Sequence, residues 1–132
     1  MMCPPVPGVS VDHHNLSHHG QEETKIEQLT LIETAIMSAF GKLMGALGQK
    51  NESGQRLLDQ TSVVFGSNLG NANSHDWRNL PIILAGGGFS HGSYRAFDEK
   101  NNLPLSNLFL TLLQHQGHEV ESFGSSTATM EL

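Results

Sequence analysis

The sequence predicts an α/β fold in which a few strands, flanked by helices, form part of a three-layer sheet. The predicted elements follow one another as helix, strand, strand and helix, with short connections. Both strands are near-continuous apolar runs, which is typical of strands covered on both faces. The 132 residues suffice for one domain. A hydrophobic fraction of 37% and a charged fraction of 15%, both low, predict a loop-rich chain.

Residues 1–11 predict an extended arm in front of a single domain over residues 12–132. Three prolines among residues 4–7 prevent regular pairing, so we expect the arm to be poorly packed. Neither a basic region nor an apolar core opens the chain, so we expect no signal peptide within it.

A long helix is predicted over residues 22–47, because apolar residues recur there at steps of three or four. This stripe consists of Ile26, Leu29, Ile32, Ile36, Phe40, Leu43 and Leu47. Glu22 and Glu23 suit the N-terminus of the helix, where the helix dipole favours negative charge. No segment approaches the ~18 consecutive apolar residues of a membrane helix, so we expect no membrane span.

Two strands and a second helix complete the predicted fold. The strands cover residues 61–65 and 80–85, and a polar loop joins them. The second helix begins at Pro104. Its apolar face consists of Leu105, Leu108, Phe109, Leu112 and Leu113. We also expect a hairpin-like stretch around residues 91–97 and an edge strand over residues 119–124.

The charge balance and the cysteine count exclude two kinds of partner or scaffold. Seven basic residues against thirteen acidic ones give a net charge of −6, and no Lys/Arg cluster is present. We therefore expect no nucleic-acid partner, because binding a phosphate backbone requires clustered cations. The single Cys3 excludes an internal disulfide framework.

Histidines in three loops are the strongest chemical signal in the sequence. Six of the eight histidines lie in these loops: His13, His14, His18, His19, His75 and His91. Imidazole is the commonest side-chain ligand for metals such as zinc. His14 and His18 are four residues apart, so one helical turn would direct both at one point. Loops that flank strand ends are where open α/β sheets place their sites.

These loops predict a site for a divalent metal, with zinc as one candidate. The predicted ligands are His14, His18, His75, His91 and Asp76. Asn71 is expected to support them through its amide oxygen, and His13 through a hydrogen-bonded carboxylate. The alternative is that these histidines are solvated loop residues with no ligand role.

Five segments of the chain resemble, in order, the family catalogued as domain of unknown function 1552. The segments cover residues 13–20, 66–71, 75–81, 84–88 and 123–127. Members of that family are several-fold longer, typically exported bacterial proteins, and this chain resembles their C-terminal portion. The resemblance implies that the chain is a fragment of an exported or periplasmic protein.

The family is similar, more distantly, to the alkaline-phosphatase and sulfatase superfamily. There a His-bearing loop, a long helix and a strand precede an Asp-His-Gly motif and a final His, around one or two divalent metals. This similarity implies the C-terminal part of a three-layer alkaline-phosphatase-like sheet. The chain departs from the motif, because Ser74 stands in place of its Asp and Asp76 in place of its Gly. Nothing in the chain matches the nucleophile of the superfamily.

The first functional hypothesis is therefore the C-terminal segment of a metal-dependent hydrolase-like protein that acts on small phosphate or sulfate esters. It would lack the nucleophile and be inactive alone. The alternative is a non-catalytic exported binding or scaffold domain, and a third hypothesis is a histidine-rich metal buffer. With so few strands, we expect open strand edges, and hence self-association or a missing N-terminal segment as partner.

Overall fold

The computed structural model describes residues 2–132, and these form four helices and four short strands. In chain order they are α1 (His13–Ser17), α2 (Glu23–Gln49), β1 (Asn51–Glu52), β2 (Gln55–Arg56), α3 (Leu57–Gln60), β3 (Ser62–Gly66), β4 (Ile82–Gly86) and α4 (Leu105–His115). The strands make two small antiparallel sheets, β1–β2 and β3–β4. The predicted mixture of helices and strands is confirmed, but the described residues form no three-layer sheet.

Helix α2 is the main support for the rest of the chain. It starts one residue after the predicted helix and ends two residues beyond it. Ile32 is its one fully buried residue. Near the other end of α2, the Phe40 ring stacks on the Phe65 ring of β3, with 4.9 Å between their centroids. The apolar stripe therefore packs on protein at both ends of α2, whereas residues 33–39 between them are exposed.

The same helix has the length and composition of a membrane span. It has 27 residues, its most apolar 18-residue window has a mean hydropathy of 1.2, and 6% of that window is buried. The expectation of no membrane span was based on unbroken apolar runs, which is a stricter criterion. Core helices of soluble proteins and signal sequences meet the same criterion of length and hydropathy. Helix α2 packs on α1, and through Phe40 on β3, but most of it is exposed.

Strands β3 and β4 pair antiparallel, with Ser62 opposite Gly86 and Gly66 opposite Ile82. A parallel pair needs a crossover of a dozen or more residues, usually a helix. The connection between these strands contains no helix and returns directly. Its loop, residues 67–81, therefore lies at one end of the pair, and the glycine turn after β4 lies at the other.

Some local structure differs from the prediction. Asn51–Glu52 and Gln55–Arg56 form a hairpin, where the sequence indicated only a polar loop. Ser53 and Gly54 make its turn with φ angles of 52° and 83°, as type I′ hairpins require. Residues 119–124, predicted as an edge strand, are irregular, and so is the stretch over residues 91–97.

The N-terminal arm contacts α2 instead of lying free. The Ser10 backbone N–H and hydroxyl both lie within hydrogen-bond distance of Gln28 Oε1, at 2.8 and 3.2 Å. A Cβ built on Gly8, whose φ is +84°, would come within 3.0 Å of Leu31 Cδ1. The prolines predicted a poorly packed arm, yet residues 8–10 are attached to α2.

The fully buried core is small for a chain of this length. Its apolar members are Leu16, Ile32, Leu108 and Leu110. The chain exposes 9320 Å² of surface, about 2,500 Å² more than the ~6,800 Å² expected of a folded monomer of this size. Much of the excess is apolar, with Ile36, Met37 and Leu43 of α2 all at least 40% exposed.

Leu16 is 0% exposed and joins α1 to α2, so its truncation tests whether this contact holds the first loop in place. We expect Leu16→Ala to lower the free energy of unfolding by about 3 kcal/mol, because it leaves a cavity. The matched control is Leu43→Ala, because Leu43 is 48% exposed and its loss should cost under about 1 kcal/mol. Urea denaturation measures both. Equal losses in the two variants would show that Leu16 is not a core residue.

Candidate metal site

Asp12 caps the N-terminus of helix α1, and this cap holds the first histidine loop in place. Asp12 Oδ1 accepts the Asn15 backbone N–H at 3.1 Å, and Asp12 Oδ2 accepts the Asn15 side-chain amide at 2.6 Å. Leu16 is buried on α1, and α1 packs on α2. His14 and His18 lie one turn apart, and their rings meet edge to face with 4.9 Å between centroids. The predicted four-residue pairing is therefore present.

The second histidine loop, residues 67–81, is organised by a small hairpin. Asn71 and Asp76 exchange backbone hydrogen bonds of 3.2 and 2.9 Å. His75 lies beside this pair with a φ of +54°, a left-handed conformation that non-glycine residues rarely adopt. Its N–H donates to the Ala72 carbonyl at 3.3 Å, which closes the turn.

The two loops meet through two contacts, although more than fifty residues separate them in the chain. His18 Nε2 and His75 Nε2 are 3.1 Å apart, and their rings meet edge to face with 4.7 Å between centroids. Beside them, the Gly20 N–H donates to Asn73 Oδ1 at 3.0 Å. We call the contact region of these loops the histidine junction; it contains His14, His18, Gly20, Asn73 and His75.

The separation of the two Nε2 atoms fits two different bonding arrangements. In the first, one imidazole donates its N–H to the lone pair of the other. Two nitrogens that ligate one tetrahedral zinc at about 2.05 Å lie about 3.3 Å apart. The observed 3.1 Å is close to that value. His18 and His75 are therefore placed as adjacent ligands would be.

His91 does not join the junction. Its Nε2 donates to the Gly86 carbonyl at 2.8 Å, which holds it at the end of β4 opposite to loop 67–81. The Gly87 N–H donates to the Leu58 carbonyl of α3, so this turn packs near the C-terminal end of α2. The predicted convergence of four histidines is wrong for His91, because an antiparallel pair places the loops that follow its two strands at opposite ends.

Asp76, Asn71 and His13 do not have the surroundings that were predicted for them. Both carboxylate oxygens of Asp76 accept hydrogen bonds from the Arg78 guanidinium, at 3.0 and 3.1 Å. This guanidinium lowers the pKa of Asp76, with a further contribution from the Arg78 backbone N–H. Asn71 Oδ1 accepts the Ser74 N–H at 3.3 Å, and His13 is exposed on α1. Asp76 is thus paired with Arg78 and not with a histidine.

Two neighbouring histidines do not make a complete metal site. Within residues 2–132, no three His, Cys, Asp or Glu side chains are arranged so that they could hold a metal ion. His18 contacts both His14 and His75, so the three rings form a row. A tetrahedral structural zinc takes four ligands, and a catalytic zinc takes three and a water. The junction therefore contains two neighbouring imidazoles, and a full metal shell would require further ligands.

Sequence reasoning missed two features of these loops. Nothing in the spacing of Gly20 and Asn73 indicates that they bond. The pairing of Asp76 with Arg78 has a signal, since opposite charges two residues apart in a loop readily form an ion pair. Outside these loops, sequence reasoning assigned no role to His115. Its Nε2 donates to the Gly87 carbonyl at 2.7 Å, and its ring centroid lies 4.1 Å from that of Phe89.

Comparisons of the chain with protein-family models, with curated proteins and with solved structures found no match. The resemblance to the domain of unknown function 1552 family thus stays a prediction from the motifs.

The cap of α1 should make the free energy of unfolding depend on pH in the acid range. The Asn15 N–H that donates to Asp12 lowers the pKa of this carboxyl below its ordinary 3.8. The stabilisation is therefore complete above that value and is lost as the pH falls through the lowered pKa. Asp12→Asn keeps a capping oxygen but cannot titrate. We expect the difference in unfolding free energy between the wild-type chain and Asp12→Asn to shrink as urea titrations are moved below about pH 4. A constant difference would contradict the cap.

The conformation of His75 can be tested by two substitutions that both remove the ring. Alanine at φ +54° keeps the steric cost of the left-handed region, whereas glycine does not. We expect His75→Gly to be more stable than His75→Ala by about 1 kcal/mol. Equilibrium unfolding in urea measures the difference. If the alanine variant were the more stable one, the turn would have a different backbone.

Proposed function

We propose that this chain is the C-terminal segment of a metal-dependent hydrolase-like protein that acts on phosphate or sulfate esters, with His18 and His75 as metal ligands. The observation that carries the proposal is the 3.1 Å separation of their Nε2 atoms at the meeting point of two distant loops. The order of the motifs supports it, because the alkaline-phosphatase and sulfatase superfamily also brings a His-bearing loop before a long helix to a later His.

The donor set fits a divalent metal of borderline softness such as zinc. A divalent metal bound there would polarise an ester oxygen and offset the negative charge that develops in hydrolysis. The chain's own residues hold the pair in place: Leu16 anchors α1 to α2, Gly20 binds Asn73, and the Asn71–Asp76 bridge shapes the turn of His75. His14, in contact with His18, is the next available ligand.

The rest of the site is assigned to a segment outside this chain. The remaining ligands and the nucleophile would come from it, and its strands would extend β3–β4 into the three-layer sheet. Two observations support this assignment. Each strand of β3–β4 pairs on one side only, which leaves an open edge on each. The chain also exposes about 2,500 Å² more surface than a monomer of its size. In the family resembled, the complete protein is exported.

A non-catalytic exported binding or scaffold domain is the second candidate. The pairing of Asp76 with Arg78 favours it, because the carboxylate next to His75 is already neutralised. The incomplete set of three ligands within the described residues favours it too. In this case the contact between His18 and His75 would serve only to join two loops.

Zinc titration of the metal-free chain separates the two candidates. Because His18 and His75 would supply only two ligands and water the others, we expect one equivalent of zinc to bind weakly to the chain alone at neutral pH, with the affinity measured by calorimetry. His18→Ala and His75→Gly should each weaken binding at least about tenfold, because each removes a ligand. The glycine variant avoids adding backbone strain at position 75. His118→Ala is the control, because His118 lies exposed beyond α4 and outside the junction.

Turnover of a generic phosphate or sulfate ester is measured on the same samples. Bound zinc without turnover would agree with a segment that lacks its nucleophile. Equal zinc affinity in all the variants would remove the junction as the site. Absence of zinc binding would leave the scaffold function.

A further inference from the structure

The outer edge of β3 has backbone groups that no other described residue binds. The Ser67 N–H donates to the Pro81 carbonyl at 3.3 Å, in register with the β3–β4 pair. Hydrogen-bonded pairs alternate with non-bonded pairs along an antiparallel ladder. Every second residue of β3, namely Ser62, Val64 and Gly66, therefore directs its N–H and C=O away from β4. In the described part of the chain, no backbone or side-chain group forms a hydrogen bond with these outward groups.

This edge lacks the features that keep strand edges from pairing. Strand β3 has the sequence Ser-Val-Val-Phe-Gly, with no charged residue and no proline, and none of its residues is fully buried. Exposed edges of this kind readily pair with another strand. Gln116 of α4 donates to the Ser62 hydroxyl and leaves the backbone of Ser62 free. The outer edge of β4 differs, because His91 already donates to the Gly86 carbonyl at its end.

Strand β3 is complementary to a second copy of itself. In an antiparallel pair centred on Val64, the two Val64 residues exchange both of their backbone hydrogen bonds. Ser62 of each copy does the same with Gly66 of the other. Val63 then lies opposite Phe65 of the second copy, which gives two pairs of a β-branched and an aromatic side chain. Cross-strand pairs of this type stabilise antiparallel sheets.

The chain also exposes the surface that such a pairing needs. Phe65 stacks on Phe40, so α2 covers the face of the sheet on which these pairs lie. Ile36 and Leu43 are four and three residues from Phe40 on the apolar stripe of α2, and they are 40% and 48% exposed. A stable dimer buries about 800 Å² of each partner. The chain exceeds the surface of a folded monomer by about 2,500 Å², which is more than enough.

We propose that two copies of this chain pair antiparallel through β3 and form a four-stranded sheet of order β4–β3–β3–β4. The dimer has two-fold symmetry, so the same edge serves both copies. The β4 edges stay at the two ends of this sheet, where the segment of the proposed function would add its strands. The pairing uses neither His18 nor His75, so it does not rest on the metal site.

Sedimentation velocity of the full chain at micromolar concentration tests the pairing, and we expect the wild-type chain to be a dimer. Val64→Lys and Val64→Glu should each weaken dimerisation at least about tenfold, because residue 64 lies opposite its own copy and like charges repel there. An equimolar mixture of the two variants should restore the dimer. Leu84→Lys is the matched control and should stay dimeric, because Leu84 has the corresponding outward position on β4. Two variants with wild-type circular dichroism whose mixture stays monomeric would overturn the proposal, and so would dissociation of Leu84→Lys.

Hydrogen exchange of the wild-type chain is a second measurement, which needs no substitution. The Val64 N–H has no acceptor in the monomer, whereas in the dimer it donates to the second copy. We expect the Val64 amide to exchange at least about tenfold more slowly at high than at low chain concentration, while the Leu84 amide does not change. A dimer in which the Val64 amide stays unprotected would overturn the proposal. A chain that stays monomeric would overturn it too, and would leave the β3 edge to the segment outside this chain.

Discussion

The antiparallel pairing of β3 with β4 determines which loops can come together. Gly66 and Ile82 lie at one end of the pair, and Ser62 and Gly86 at the other. Loop 67–81 therefore meets the loop around α1 near the start of α2. The glycine turn after β4 meets α3 and the end of α4 instead. Reversing one strand would exchange these neighbours. The composition of each histidine cluster therefore depends on the antiparallel direction of the two strands.

The histidines at the two ends of the β3–β4 pair make different contacts. His18 and His75 contact each other through their rings, without a carbonyl between them. His91 and His115 each donate Nε2–H to a backbone carbonyl of the glycine turn. A donor role of this kind fixes the tautomer of each ring, and the bond of His115 also attaches α4 to the turn. Only the first pair has ring nitrogens directed at a shared point.

The sequence predicted the elements better than their arrangement. The boundaries of α2 and α4 came close because an apolar period of three or four residues is a property of the helix itself. The strands predicted over residues 61–65 and 80–85 are also present, since short runs of β-branched and aromatic residues favour strands. Strand direction was not predictable, because an apolar run reads the same in a parallel and in an antiparallel pair. The contact of His18 with His75 was predicted and is present. His91 was predicted to join them and does not. The antiparallel direction of the strands explains both outcomes.

Two two-stranded sheets and four buried apolar side chains in the described residues give this chain little stability of its own. The histidine junction is correspondingly weakly held. Each of its hydrogen bonds is exposed to solvent and contributes about 1 kcal/mol at most. The left-handed backbone of His75 costs about as much. The contact of the two rings therefore adds almost nothing to folding, and stability alone does not explain why a histidine occupies position 75, where glycine or asparagine would be less strained.

Left-handed backbone occurs at sites that bind or react, and it also occurs in ordinary turns, where histidine adopts it more often than most residues. A metal ion shared by His18 and His75 would supply the missing free energy, because ligation of a divalent metal by imidazoles contributes far more than one exposed hydrogen bond. It would also connect the loop of α1 to loop 67–81 independently of the open sheet edges. The proposed metal would therefore offset the cost of the His75 turn, whereas Gln21, Ser53 and Asn79 have the same left-handed conformation away from the pair of ring nitrogens.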